Sequence, residues 1–255
     1  MDFNPTSSID LAEVLFTLFW VFFAALVIYI RRQDKREGYP LVSERSANIT
    51  VEGFPGIPAP KTFLLQHGGT AQAPRDEPPE LDVAGKPAGR FPGAPLDPTG
   101  DPLVDGLGPA GYCNRVNEPD LTFYGEKRVL PLRILTDFHV DSRDPDPRGM
   151  PVMTAEGETV GTVTDLWVDR SEPQIYFLEV DRNGAGSNVL VPFWYANVNK
   201  KERTINVKAV YADQFGRAPV LQSPDEITRL EEDRICAYFA GGMFWADDAR
   251  REPVF

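Results

Sequence analysis

Histidine and cysteine are nearly absent from the 255 residues: two of each, His67 and His139, Cys113 and Cys236. Two histidines so far apart cannot build a metal site by themselves, and the cysteines form no CxxC pair. Free buried thiols are the expectation for both, with His67, before Gly68-Gly69, a loop residue. Positive charge is also short, with 26 Lys and Arg against 38 Asp and Glu and a net charge of −12. Residues 40–255 hold −11 of that, so no basic face is available for phosphate and nucleic acid is excluded as a partner. Nucleophile–base pairs and phosphate loops are missing too. Gly106-Leu-Gly108-Pro-Ala-Gly111 spells GxGxxG, but Pro109 interrupts it and no strand–helix unit frames it, so it reads as a turn-rich loop.

Long apolar runs are limited to one. Val14 to Ile30, VLFTLFWVFFAALVIYI, carries no charge, and with Leu11 and Ala12 it approaches the ~20 residues a spanning helix needs. A cleaved signal peptide is the alternative, but such a leader has a basic start and a small-residue cleavage site. Here Asp2, Asp10 and Glu13 precede the run, and Arg31, Arg32, Lys35 and Arg36 follow it. A retained anchor over 11–32 is expected, with residues 1–10 outside and the remainder cytoplasmic. The four basic residues are expected at the lipid interface, near anionic phospholipid. Thr17 and Ala24 mark a smaller-residue face for packing on other helices.

Residues 33–111 follow as a connector. Between 53 and 111 lie twelve of the 24 prolines and eleven of the 21 glycines, a composition that predicts no helix or sheet of its own. Apolar anchors such as Phe54, Phe63 and Leu96 suggest an extended strap over another surface. Residues 112–220 change to short β-type runs separated by Glu156-Gly157, Asn183-Gly184 and 199–203, which predicts a small antiparallel β-barrel or sandwich, closed to protect its edges. In 221–255, Ser223-Pro224-Asp225-Glu226 reads as a helix start and Gly241-Gly242 as its stop. Glu231, Glu232 and Asp233 are expected on a solvated face, with contact to a basic partner loop as the alternative.

Chemistry is left to carboxylates. Asp165 and Asp169 stand at an even separation, which puts both on one face of an uninterrupted strand, and Glu172 follows in the turn. Clustered acids raise one another's pKa and pass protons near neutral pH, although ordinary surface acids give the same pattern.

Several long motifs, in order, resemble the H subunit of the purple-bacterial photosynthetic reaction centre. They are REGYPL (36–41), PKTFLLQHGG (60–69), PTGDPLVDGLGPA (98–110), GTVTDLWVDR (161–170), FLEV (177–180) and LEEDRICAYFAGG (230–242). The resemblance runs nearly end to end and implies a PRC-barrel as the globular part. It implies a non-enzymatic subunit in the photosynthetic membrane, capping the cytoplasmic face of the L and M subunits, shielding the quinone sites and conducting protons to the secondary quinone. Bacteriochlorophyll, bacteriopheophytin, quinones, non-haem iron and carotenoid would lie on other subunits. A cytochrome subunit and light-harvesting antenna are further expected neighbours. Residue by residue, Glu172 falls on the family's proton-path glutamate and Asp169 on the aspartate of its WVD motif. Tyr124 and Glu126 stand where some members carry histidines, and Tyr176 where some carry arginine, leaving Glu126 and Asp120 as substitutes by position. A membrane-tethered PRC-barrel adaptor without photochemistry is the competing expectation.

Overall fold

A computed structural model describes residues 10–43, 46–74, 83–91, 93–184 and 186–251. Residues 1–9, expected outside the membrane, lie beyond the described ones. The chain divides into two compact units.

The first unit holds α1 (Leu11–Asp34) and two hairpins: β1 (Leu41–Ser43) with β2 (Ser46–Val51), and β3 (Lys61–Leu64) with β4 (Thr70–Ala73). The Asp10 carboxylate caps α1 by accepting the Ala12 N–H at 2.9 Å. The helix runs two residues past the expected boundary at 32. Its most apolar 18-residue stretch averages a hydropathy of 2.4, its 24 residues span about 36 Å, and none is buried within the chain. It is the one helix among the described residues long and apolar enough to cross a membrane. Thr17, on the expected packing face, donates its hydroxyl to the Glu13 carbonyl inside the helix.

The hairpins correct the reading of the connector. Residues rich in Pro and Gly do form sheet here, and in β3–β4 the glycines sit in the turn. Gly68 and Gly69, at φ +93° and +84°, close the β3–β4 turn, with His67 exposed at its tip as expected.

The second unit begins with a third hairpin, β5 (Gly85–Pro87) with β6 (Leu96–Pro98), and a one-turn helix α2 (Pro102–Asp105). Gly106, left-handed at φ +68°, ends α2, so the GxGxxG text forms a helix cap and turn as expected. The main sheet contains β7 (Val129–Pro131), β8 (Pro151–Met153), β9 (Thr159–Asp169), β10 (Gln174–Asp181), β11 (Val189–Pro192), β12 (Ala196–Asn199) and β13 (Thr204–Val207). Its order is β11-β10-β9-β8-β13-β12, with β7 on the far end of β9. The predicted turns hold. Asn183 and Gly184 take positive φ between β10 and β11, and Gly157 does so between β8 and β9. One pairing departs from the antiparallel expectation: β8 and β13 run parallel.

The chain ends with the short α3 (Ala212–Phe215) and the long α4 (Arg229–Trp245). Ser223 does not start α4. Ser223 and Glu226 face each other in an isolated bridge, and Thr228 caps the helix with Glu231 in a full capping box. Gly241-Gly242 does not stop it either. A Cβ on Gly241 would lie 2.5 Å from the Ala110 Cβ, and one on Gly242 would strike the Ala209 carbonyl, so both serve close packing inside the helix. The core lies between the sheet and α4, where Trp167, Phe177, Leu178, Val191, Ile205, Ile235 and Phe239 are fully buried. Burying aromatic and aliphatic side chains of this size contributes about 1.5–3 kcal/mol each, which makes this core the unit's main source of stability.

Candidate functional site

Buried and half-buried acidic residues of the β-domain gather into two nodes, around Arg128 and Arg133. β7 pairs with the end of β9 in the register Val129↔Asp169, which places Arg128 beside Asp169. Arg128 donates to Asp169 Oδ2 from Nε at 2.8 Å and Nη2 at 2.6 Å, and to Asp120 Oδ2 from Nη1 at 2.9 Å. Asp169 is fully buried, and its Oδ1 also accepts the N–H groups of Ser171 at 2.8 Å and Glu172 at 3.3 Å. Burial works to raise its pKa, but Arg128 and the Ser171 N–H outweigh that and hold it below the usual carboxylate range. Asp120 is likewise lowered: burial opposes, and Arg128 and Arg229 prevail.

Behind this pair lies a carboxyl shifted the other way. The Tyr176 ring sits 6.0 Å from the Arg128 guanidinium, and its hydroxyl donates to Glu232 Oε1 at 2.7 Å. Burial pushes Glu232 up, against the opposing pull of Tyr176 and Arg128. One turn on, burial and then Glu232 push the Cys236 thiol up to about 12. Cys236 is thus an inert, half-buried thiol, whereas Cys113, expected to be buried, is exposed.

The second node forms around Arg133, at 3.0 Å from Asp165, 2.6 Å from Glu179 and 2.7 Å from Asp225. Asp165 and Glu179 stand opposite each other on β9 and β10, a repulsive placement that Arg133 neutralises. Trp167 Nε1 donates to Glu179 Oε2 at 2.8 Å and Asn188 to Oε1 at 2.6 Å, so this buried carboxylate is saturated with donors.

These nodes correct the expectation of one cluster of mutually raised acids. The β9–β10 register shifts at Ile175/Phe177, and each aspartate has its own arginine. Glu172 stays exposed, in the turn whose N–H groups Asp169 holds, with Gln174 at 3.5 Å. Glu126 is exposed on the 121–127 hairpin and pairs with Arg170 at 2.7 Å.

The anchor's basic residues also separate. Arg31 and Arg32 are exposed, but Lys35, expected at the lipid interface, is 2% exposed and donates to the Glu52 carbonyl. Arg36 donates to the carbonyls of Ala59 at 2.8 Å and Ala73 at 2.9 Å. The two fasten the hairpins to the helix end.

The 231–233 run is not a solvated face. Glu231 is buried as the capping-box acid and also accepts the Gln222 N–H at 2.8 Å, and Asp233 pairs with Arg115 at 2.8 Å. Sequence reading missed Glu232, Arg128 and Arg133. The Thr228-x-x-Glu231 pattern was available to place the start of α4, and with it Glu232 on the first turn. Among the described residues no group of three or more His, Cys, Asp or Glu is placed to hold a metal.

A family model described as the photosynthetic reaction centre H-chain N-terminal region matches residues 4–134, and one for the PRC-barrel domain matches residues 139–214.

Proposed function

The chain belongs to the H-chain family of photosynthetic reaction centres, and from that premise we propose that its β-domain relays protons toward the secondary quinone held by its partners. It is a reaction-centre subunit that associates with the L and M subunits, with one apolar helix fitting a single membrane pass. In this reading the helix crosses with residues 1–10 outside, the domain covers the cytoplasmic face of L and M, and the pigments, quinones and iron belong to those subunits.

A quinone reduced in a dry site accumulates negative charge, which is costly at low dielectric until protons arrive. What supports the reading is a set of carboxyls in different surroundings. Glu172 is exposed, the turn beneath it is held by the ionised, buried Asp169, and the raised Glu232 lies behind Tyr176. A surface acid collects protons, a fixed anion favours their passage inward, and a raised carboxyl holds one. Glu126, salt-bridged to Arg170 on the neighbouring hairpin, adds a second collecting group. Asp165, tied into the Arg133 node, supports the barrel beside the path.

The test is Glu172→Gln in the assembled complex, followed by flash-induced absorbance kinetics across pH. Assembly and the first electron transfer to the secondary quinone should be unchanged. The second, proton-coupled transfer should slow severalfold, increasingly toward high pH. Wild-type rates up to about pH 9 would leave Glu172 an ordinary surface acid.

A further inference from the structure

We propose that an acid-rimmed apolar groove between the 136–148 loop and the β9–β10 ladder seats a basic, apolar terminal segment of a membrane-spanning partner subunit. The proposal rests on reading the chain as a reaction-centre subunit whose domain lies on the cytoplasmic side.

The groove is a cavity of about 600 Å³, within the range that holds ligands and inserted side chains. Leu132, Leu166, Val168, Ile175 and Val198 line it, and Phe138 is shared with a second cavity of about 310 Å³. That second cavity lies under a tight turn, Thr122 to Glu126, closed by the Thr122 N–H to the Glu126 carbonyl at 2.7 Å and by Gly125 at φ +81°. The turn presents Phe123 and Tyr124, 75% and 85% exposed, with ring centroids 5.4 Å apart and near-perpendicular planes. Aromatic side chains held on a rigid turn beside an apolar pocket are the anchor type of protein interfaces, at low entropic cost.

Charge decides what fits. Residues 136–148 carry Asp137, Asp141, Asp144 and Asp146 against Arg143 and Arg148. Both arginines are engaged inside the loop, Arg143 with Asp141 at 2.8 Å and Arg148 with Asp146 at 2.6 Å. Asp137 and Asp144 form no ion pair among the described residues, and Asp144 lines the groove with Asp141. An anionic lipid would be repelled here, and a Lys- or Arg-bearing chain attracted. Segments flanking the cytoplasmic ends of membrane helices carry that charge.

The test replaces Gln174, exposed at the groove, with a photo-cross-linking residue in the full complex in its native membranes. The pigmented complex is purified after irradiation and its cross-linked peptides are mapped. A cross-link to a Lys- or Arg-bearing terminal segment of a partner subunit is expected. Adding Asp144→Lys, on an exposed position, should cut its yield severalfold with thermal stability unchanged. Cross-linking only to lipid or to a second copy of this chain, no cross-link in an intact pigmented complex, or indifference to Asp144→Lys would each overturn the proposal and leave the subunit's identity standing. A tagged chain that purifies colourless and alone would overturn the reaction-centre reading, and this inference with it.

Discussion

The chain's two units solve the problem of apolar surface in opposite ways. The first has a 24-residue helix with no buried residue and a β3 strand whose four residues are all exposed. Phe54 and Leu64 there are 83% and 86% exposed. The second buries Trp167, Phe177, Leu178 and Ile205 completely in its own core. Two-stranded hairpins are marginal alone in water. The first unit is therefore built to be completed by other molecules, and the second to stand as a folded domain with a core of its own.

That contrast breaks most visibly in the core. Trp167→Ala removes a fully buried ring and one donor to Glu179, and truncations of this kind cost about 3–5 kcal/mol. The β-domain should unfold or melt far earlier by thermal circular dichroism of the detergent-solubilised chain, while the anchor still fractionates with membranes. Loss of membrane association along with the domain would show the units to be interdependent.

A smaller effect is expected at the Arg128 node. Arg128→Gln leaves Asp169 buried without its cation, a loss of about 2–3 kcal/mol at neutral pH after allowing for the partial exposure of Arg128. The pH dependence has a definite sign. Asp169 and Asp120 titrate lower in the folded chain than unfolded, so their contribution is full above the unfolded carboxylate range and is lost as pH falls through the folded values. Wild type should therefore lose urea resistance below about pH 4, and Arg128→Gln should flatten that acid limb. An unchanged acid limb would remove the ion pair from the account.

The smallest effect belongs to the first unit. Arg36→Ala deletes two side-chain hydrogen bonds to hairpin carbonyls. It should shift the β-domain's melting by less than about 0.5 kcal/mol, yet speed protease cutting between residues 40 and 75. A large shift in melting would mean that the hairpins support the barrel.

The sequence showed the anchor, the turns and the alternation of β13, because each depends on neighbouring residues. Ile205 and Val207 are buried between half-buried Thr204 and Asn206, as period two requires. What it hid was non-local. Two glycines in tandem read as a helix stop, and only the approach of Ala110 and Ala209 shows them as a packing surface. The Asp165–Asp169 spacing was legible, but not the arginines 32 and 41 residues away that give each its own partner. Proline and glycine counts concealed the β3–β4 hairpin, whose strands hold neither, and the short β5–β6 pair, whose strands hold both. The barrel itself was recognisable, and the parallel β8–β13 contact within it was not.

Lys35 and Arg36 carry one more consequence. Each residue of slippage along an α-helix is a 1.5 Å translation and a 100° rotation, and both side chains at this end are fastened to carbonyls of the following segment. The anchor therefore cannot piston or swivel alone in a bilayer of changing thickness. Depth and azimuth of the first unit are set together, as a keyed shaft is set by its collar.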